Sequence, residues 1–289
     1  MDGWPEDRRY LFAVAYRLLG SAADAEDAVQ EAYVRLQKAA PDNPRAWLTT
    51  VVSRICLDML GSARARRENY VGTWLPDPLV GYDDTDLGDA VALRDSVRTA
   101  VLLVLETLSP AERVAFVLHD AFGMDFERLA AVVGRTPEAC RQLASRARRR
   151  VRAGAPARTS VSRAEHQRVL DAFAAASVDG DLSELVGLLD PRVVFRSDGG
   201  GTVPAARVPV HGPARVQALV SGLLRRYAGV RLLPVPVAGG LGFRLSSDDA
   251  ELGVLGVELG VLGVELAEGR IVELNLVVNP AKLGTDRSL

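Results

Sequence analysis

The chain has 289 residues, 35 of them basic and 37 acidic, and a formal net charge of −2 at pH 7. This length allows two or three domains, and the balanced charge excludes a protein that coats nucleic acid along its whole surface. The two cysteines, Cys56 and Cys140, fit neither a disulfide framework nor a zinc site, so we expect a reducing, cytoplasmic compartment and no bound metal. We also expect no signal peptide and no transmembrane helix, because the N-terminus lacks an apolar segment and the longest apolar run is broken by glutamates and glycines.

Residues 5–60 have the apolar periodicity of three helices. The first ends at Gly20, and Ser21 begins the second, with Asp24 placed to complete a capping box. This second helix is acidic on its outward face. After a proline-bounded loop, a third helix is predicted from Arg45 to Leu60. Three arginines follow it: Arg64, Arg66 and Arg67.

Residues 70–95 have the composition of a linker, in which glycines and prolines are followed by a cluster of aspartates. Between residues 81 and 109 there are six acidic residues and two arginines, a local net charge of −4. Four of these acids lie close together: Asp83, Asp84, Asp86 and Asp89. Residues 110–159, in contrast, hold ten arginines and five acidic residues, a net charge of +5. A basic module beside an acidic connector favours localised contact with nucleic acid.

The basic module begins with three N-terminal helix signals, namely a Ser109 cap, Pro110 and Glu112. A short helix over 126–133 and a glycine turn then lead into a helix over 136–152, which is the pattern of a helix-turn-helix. The apolar stripe of this last helix is Cys140, Leu143, Ala144, Ala147 and Val151, and the opposite face presents Glu138, Arg141, Gln142, Ser145, Arg149 and Arg152. Arginine, glutamine and serine side chains bind phosphates and base edges, so we predict DNA binding. The alternative is a solvated, arginine-rich helix of a bundle.

From residue 163 the pattern changes to two helices, 163–177 and 182–189, followed by strand-like runs and one more helix near 214–227. The strand-like runs are 193–196, 203–210, 230–237, 243–245, 252–266 and 271–278. Helices followed by a mostly antiparallel meander indicate an α+β domain. Within one run, the heptad 253–259 is repeated as 260–266, which we interpret as a local duplication that lengthens one strand or adds a bulge.

In this order the elements resemble those of a bacterial extracytoplasmic-function (ECF) sigma factor, over about residues 5–152. Residues 25–36, Ala-Glu-Asp-Ala-Val-Gln-Glu-Ala-Tyr-Val-Arg-Leu, resemble region 2.2, the helix that grips the β′ subunit of core RNA polymerase. Residues 44–58 resemble regions 2.3 and 2.4, which melt and read the −10 element. Residues 108–118 and the helix-turn-helix resemble region 4, which reads the −35 element.

Three further segments, 74–79, 198–201 and 279–283, resemble signatures of ECF factors of the sigma-J type, which carry a SnoaL-like C-terminal domain. The resemblance implies a multidomain fold class, with two all-α sigma domains (a region 2 helical bundle and a region 4 helix-turn-helix) and an α+β NTF2-like cone domain. We expect region 2 over residues 1–70, an acidic linker over 71–107, region 4 over 108–153 and a SnoaL-like regulatory domain over 163–289.

The resemblance implies three contacts outside the chain. Core polymerase, through its β and β′ subunits, would be bound by Asp24, Glu26, Asp27, Val29, Gln30, Glu31 and Val34; without the resemblance, a solvated acidic first turn would be favoured. The −10 element of promoter DNA would be bound by Asn43, Arg45, Trp47, Arg54, Arg64, Arg66 and Arg67, although Trp47 could equally be a core aromatic and Asn43 a helix cap. The −35 element would be read by Glu138, Arg141, Gln142, Ser145, Arg146 and Arg149.

The resemblance also implies regulation from within the chain, with no separate anti-sigma factor. We expect the C-terminal domain to pack against the sigma domains through Trp74, Leu75, Pro76, Leu79, Asp198, Gly199, Gly200, Gly201, Asn279, Pro280, Lys282 and Leu283. NTF2-like folds can host enzymes, but the available residues Asp198, His211, His166 and Asp171 lack a recognisable catalytic spacing. We therefore predict no enzymatic activity and no cofactor. The alternative function is a helix-turn-helix regulator with a ligand-sensing or enzymatic C-terminal domain, and binding to core polymerase discriminates the two.

Overall fold

The computed structural model describes residues 4–68, 70–80, 98–154, 161–179, 183–227, 229–237, 240–249 and 254–283. The chain divides into two compact units, of which the first contains Met1–Asn69 and Tyr82–Ala155 and the second contains Tyr70–Gly81 and Pro156–Ser288. Residues 70–80, at the start of the sequence-predicted linker, thus belong to the C-terminal unit. The aspartate cluster at 83–89 lies outside the described residues. Within the described part of the chain, no helix is long and apolar enough to cross a membrane.

The first unit is helical throughout its regular elements. These are α1 (Trp4–Leu19), α2 (Ala22–Leu36), α3 (Pro44–Glu68), α4 (Thr99–Glu106), α5 (Pro110–Phe116), a π-helical turn (Val117–Ala121), α6 (Phe126–Val133) and α7 (Pro137–Gly154). The predicted cap at Ser21 is confirmed, because its hydroxyl accepts a hydrogen bond from the Asp24 N–H at 3.3 Å. Ser109 and Glu112 form the predicted capping box. Helix α3 extends beyond its predicted end at residue 60, since mainly helix-forming residues follow Gly61.

The helices before residue 69 and those after residue 98 share one core. Tyr10 of α1 packs edge-to-face on Phe122, with ring centroids 5.5 Å apart. Two buried arginines lie at this contact, where Arg113 pairs with Glu106 and also donates to the Arg17 carbonyl at 3.4 Å. Burial lowers the pKa of Arg113 to about 9 and that of Arg17 to about 10. Both guanidinium groups therefore remain charged at neutral pH inside the unit.

The predicted helix-turn-helix is confirmed in helices α6 and α7. The Asp125 carboxylate caps α6 by accepting from the Arg128 N–H at 2.8 Å. Gly134 ends α6 with a φ of 70°, a left-handed conformation that glycine adopts without steric cost. The Thr136 hydroxyl then accepts from the Ala139 N–H at 3.2 Å at the start of α7. The predicted apolar stripe of α7 is buried at Cys140, Leu143, Ala144 and Ala147.

The second unit is the predicted α+β domain. It contains α8 (Arg163–Asp179), α9 (Ser183–Leu188), β1 (Leu189–Asp198), β2 (Val210–His211), α10 (Pro213–Arg226), β3 (Val230–Val237), β4 (Gly240–Asp249), β5 (Val254–Ala267) and β6 (Arg270–Val277). The strands form one sheet in the order β2-β1-β6-β5-β4-β3, in which only the β1–β6 pair is parallel. Helices α8 and α10 bury their apolar residues on one face of this sheet, where Phe173 packs 5.5 Å from Phe243.

Two sequence expectations about the strands have different outcomes. Strand β5 contains both copies of the heptad except Gly253, and its pairing with β4 shifts register between Leu245 and Ser246, as a bulge would produce; the local duplication itself stays an interpretation. The strand expected over 203–210 is wrong, because only Val210–His211 pair with β1. Pro204 and Pro209 lack the N–H groups that a strand would need there.

Candidate functional sites

Helix α2 presents one continuous exposed face. Asp27, Gln30, Glu31 and Val34 are exposed and follow one another at intervals of three, one and three residues, which places them on the same side of the helix. Val34 is 48% exposed, so this face includes an apolar group beside its polar ones. This face combines carboxylates, an amide and an apolar group, a composition suited to binding another protein.

The remaining α2 candidates are placed differently. Glu26 is buried, and its carboxylate accepts from the Arg8 guanidinium of α1 at 2.8 Å. Val29 is fully buried, and Asp24 is half-buried. Some acidic residues of α2 are therefore exposed, whereas Glu26 forms an ion pair inside the unit. The packing of α1 on α2 decides which of them are buried.

The start of α3 holds the candidates for contact with melted DNA. The Asn43 carboxamide caps this helix by accepting from the Ala46 N–H at 3.0 Å. The Arg45 guanidinium lies 4.4 Å from the Tyr10 ring centroid and 3.6 Å from the Asp7 carboxylate. Trp47 is half-buried, so it belongs neither to the closed core nor to the open surface.

Arg54 joins the two halves of the helical unit. It is exposed, and its guanidinium donates to the Ala131 carbonyl of α6 at 2.7 Å. Arg64, Arg66 and Arg67 lie further along the same helix, α3. An arginine expected to contact the DNA backbone is therefore engaged by the helix-turn-helix in this structure.

Helix α7 presents its polar residues on the side opposite its buried stripe. Exposed on this side are Glu138, Arg141, Gln142, Ser145, Arg146, Arg149 and Arg152. The Arg141 guanidinium donates to the Glu138 carboxylate at 2.7 Å, lies 3.5 Å from Glu127 and covers the Phe126 ring at 5.2 Å. Exposed ion pairs are worth about 0–1 kcal/mol, so a phosphate or a base edge can displace these carboxylates at small cost.

Glu112 holds two arginines of α7 against the start of α5. Its carboxylate accepts from Arg146 at 3.1 Å and from Arg150 at 2.8 Å. Burial alone would raise the pKa of Glu112, but hydrogen bonds from Ser109 and the two arginines outweigh burial and keep the pKa below its ordinary value. Sequence reasoning identified Glu112 only as a cap, because its arginine partners lie more than thirty residues away.

The second unit contains a network of hydrogen bonds around the buried Asp198–Lys282 ion pair, which we call the Asp198 cluster (Tyr70, Leu75, Asp198, Asn279 and Lys282). The Asp198 carboxylate is completely buried at the end of β1. One of its oxygens accepts from the Tyr70 hydroxyl at 2.6 Å and from the Gly200 N–H at 3.0 Å. The other accepts from the Leu75 N–H and from the Lys282 ammonium, both at 2.9 Å. Every acceptor position of the carboxylate is thus used.

Lys282 completes the attachment of residues 70–80. Its ammonium donates to the Leu75 carbonyl as well as to Asp198, so one residue of the segment is held at both its N–H and its C=O. The ammonium also lies 4.4 Å from the Trp74 ring centroid and 3.8 Å from the Asp77 carboxylate. Leu75, Pro76 and Leu79 are buried beside these contacts.

The two residues after Asp198 must be glycines, because neighbouring atoms leave no room for a side chain there. A Cβ on Gly199 would lie 2.0 Å from the Val203 carbonyl oxygen, so any side chain there would force the loop apart. Gly200 has a φ of 63°, and a Cβ on it would lie 2.5 Å from the Asn279 side chain. The Asn279 amide in turn donates to the Tyr70 hydroxyl at 3.0 Å. Because these residues have no side chains, the backbone of the loop after Asp198 can pack directly against the Asp198 cluster.

Tyr70 was not singled out from the sequence, and Asp77 appeared only as a member of the signature segment 74–79, although both contribute to this region. Burial, together with the hydrogen bond to Asp198, raises the pKa of the Tyr70 phenol above its ordinary value. The only sequence signal for Tyr70 was its position four residues before this signature segment.

The residues considered for catalysis are not assembled into a site by any contact among the described residues. Asp198 belongs to the cluster described above, and His166 contacts the Val264 carbonyl at 2.9 Å through its Nε2. Asp171 accepts from Gln167 at 2.9 Å, one turn away on the same helix, and His211 is an exposed residue of β2.

Comparison with known proteins supplies the family context. Two family models match the chain, Sigma-70 region 2 over residues 6–66 and Sigma-70, region 4 over residues 98–151. The chain is 48% identical over 225 residues to the ECF RNA polymerase sigma factor SigJ of Mycobacterium tuberculosis, covering 76% of this chain and 72% of the relative. It is 37% identical over 287 residues to the probable ECF RNA polymerase sigma factor SigI of the same species, covering 97% and 93%. The crystal structure of M. tuberculosis SigJ matches with a TM-score of 0.80 at 39% identity, over 98% of both chains.

Proposed function

The chain belongs to the ECF RNA polymerase sigma factors, and we propose that it directs core polymerase to promoters with −35 and −10 elements through three surfaces of its helical unit. It acts in the cytoplasm, where polymerase and promoters are. Its C-terminal unit regulates these surfaces and catalyses no reaction, and no separate anti-sigma factor is required. The observation that carries the proposal is the exposed polar face of α7, opposite the buried stripe that docks this helix.

The face of α7 reads the −35 element, with its first turns on base edges and its later arginines on phosphates. Arg141→Ala should lose about 1–3 kcal/mol of affinity for a cognate promoter, as expected for a bidentate base contact. Arg152→Ala is the matched control: it should weaken cognate and random DNA alike and flatten the salt dependence. Titration of both variants on both DNAs tests this assignment. Equal losses on the two DNAs for Arg141→Ala would contradict it.

The exposed face of α2 binds core polymerase at its β′ subunit. Glu26 and Val29 act there indirectly, because they fix α2 against its neighbours from inside the unit. Val34→Ser should weaken capture of core polymerase. Val208→Ser, which changes a valine that is 69% exposed in the other unit, should leave it unchanged. A pull-down with purified core polymerase measures both, and failure of the unmodified chain to bind would favour a simple helix-turn-helix regulator.

The start of α3 holds the melted −10 element, with Trp47 and Arg45 near the bases and the arginines further along on the backbone. Cationic and aromatic side chains at one helix start suit an unstacked single strand. Arg54 would exchange the Ala131 carbonyl for a phosphate as promoter DNA binds. The two halves of the helical unit share one core, and they would have to separate to span two promoter elements; loss of the Arg54–Ala131 bond removes one of the contacts between them. Arg54→Ala should therefore slow open-complex formation, which run-off transcription measures.

The Asp198 cluster regulates the factor, because it holds the segment that follows region 2 along the chain. Residues 70–80 belong to the C-terminal unit and directly follow α3 along the chain, so a change in their attachment acts on the connection to region 2. Releasing them with Lys282→Met should change run-off transcription relative to the unmodified chain on several promoters. Identical transcription by the two proteins would contradict the regulatory role of the C-terminal unit.

A further inference from the structure

The second unit contains a cavity of about 780 Å³ beside the sheet. Leu219, Leu223 and Leu224 of α10 line one side of it, and Phe195, Leu232 and Leu245 of the sheet line the other. The cavity is partly open to solvent, and most of the described residues that line it are apolar. It lies within the range of about 300–1,000 Å³ that small-molecule sites occupy.

The lining defines the chemistry of an occupant. None of the described residues that line the cavity carries a charge, so an ionised ligand would lose its hydration without gaining a partner. Two of the described lining residues carry a hydroxyl group, Ser197 and Tyr227. The buried Ser197 oxygen accepts from the Ala206 N–H at 2.8 Å, which leaves its proton to donate. The cavity therefore suits a neutral, mainly hydrocarbon or aromatic molecule with a hydrogen-bond acceptor.

The cavity shares two chain segments with the Asp198 cluster. Ser197 lines the cavity and directly precedes Asp198, while Pro280 and Leu283 line it on either side of Lys282. The loop after Asp198 turns back through a hydrogen bond from the Val203 N–H to the Gly199 carbonyl at 2.9 Å. A second cavity, of about 370 Å³, lies against the same loop and is bordered by Val71 and Gly72. Residues 203–206 of this loop line both cavities, so the loop forms part of the wall of each.

We propose that the larger cavity binds an uncharged, mainly apolar small molecule with a hydrogen-bond acceptor, and that its occupation strengthens the attachment of residues 70–80. An occupant packs on Pro280, Leu283 and the loop wall, and therefore stabilises the arrangement that holds Lys282 and Asp198 on Leu75. The effect of this ligand on transcription rests on the regulatory role proposed above, whereas its binding and its effect on the segment do not.

Nile red, a neutral aromatic dye with a carbonyl acceptor, is a suitable probe with the full-length chain. Leu223→Trp fills the cavity and should weaken dye binding at least about tenfold, the equivalent of 1.4 kcal/mol. Leu233→Trp, which adds the same ring to an exposed residue of β3 that does not line the cavity, should leave binding unchanged. Leu219→Phe, a smaller addition, repeats the test if Leu223→Trp lowers the melting temperature. Absence of saturable binding, or equal binding by both tryptophan variants, would overturn the site.

Hydrogen–deuterium exchange measures the second half of the proposal without polymerase. Saturating Nile red should slow exchange of a peptide that covers residues 70–80, because the Leu75 N–H is bonded to Asp198. The Leu223→Trp variant should show no such change. Unchanged exchange in the dye-bound, unmodified chain would overturn the coupling. Since neither measurement involves transcription, loss of the regulatory role alone would leave both results intact.

Discussion

Replacing Lys282 by methionine tests whether the buried charges of the Asp198 cluster hold residues 70–80 in place. Lys282 is 8% exposed, its partner Asp198 is fully buried, and the ammonium nitrogen lies 2.9 Å from the carboxylate oxygen. Removing one partner of such a pair leaves the other charge uncompensated, which costs about 3–5 kcal/mol. The Leu75 carbonyl also loses its donor. We expect the C-terminal unit to lose stability in this range.

Urea unfolding followed by Trp74 fluorescence reports on this unit. Trp74 lies 4.4 Å from the Lys282 ammonium, and replacing Trp4 and Trp47 by phenylalanine makes it the sole tryptophan. Lys38→Met is a matched control, because Lys38 is the one other lysine of the chain and is exposed. It should change the free energy of unfolding by less than about 0.5 kcal/mol, as surface substitutions usually do.

A double-mutant cycle with Asp198→Asn separates the charge pair from other losses. If Asp198 and Lys282 compensate each other, the double variant should be less destabilised than the sum of the two single variants, by about 0.5–3 kcal/mol. Additive losses, or a Lys282→Met loss no larger than that of Lys38→Met, would refute the reasoning.

Three other changes test the surroundings of Asp198 and one helix cap. Gly200→Ala should destabilise the C-terminal unit by about 1–3 kcal/mol, because Gly200 has a φ of 63° and its new Cβ would meet Asn279; an unchanged urea midpoint would contradict this. Burial and the hydrogen bond to Asp198 raise the pKa of the Tyr70 phenol in the folded state. The stability that the protonated phenol contributes is complete below the pKa of an unfolded tyrosine, about 10, and is lost as the pH rises through the pKa of the folded state. Tyr70→Phe should therefore reduce the fall in the free energy of unfolding above about pH 10. Parallel curves of unfolding free energy against pH for the variant and the unmodified chain would argue against it. Ser109→Ala removes a cap worth about 1 kcal/mol and should lower the melting temperature of the helical unit, which calorimetry measures.

The helices and their ends were largely determined by local sequence. Caps at Ser21, Ser109 and Thr136 form with residues three positions ahead, so the information lies within one turn of chain. The buried stripe of α7 likewise follows from helical periodicity, because any helix with that pattern has one face to cover. The prediction of a strand over 203–210 was wrong, because it followed the apolar residues of this run and not its prolines, which cannot donate backbone hydrogen bonds.

Only the tertiary structure decided which of several chemically similar residues are exposed and which form contacts inside the protein. Glu26 and Asp27 are alike in sequence, yet Glu26 is buried on Arg8, eighteen residues away, while Asp27 is exposed. The Leu75–Asp198 bond spans 123 residues. Contacts over such distances leave no periodic trace in the sequence. They arise when a complete sheet places the end of β1 and the turn after β6 side by side, and burial then requires each charge there to find a partner.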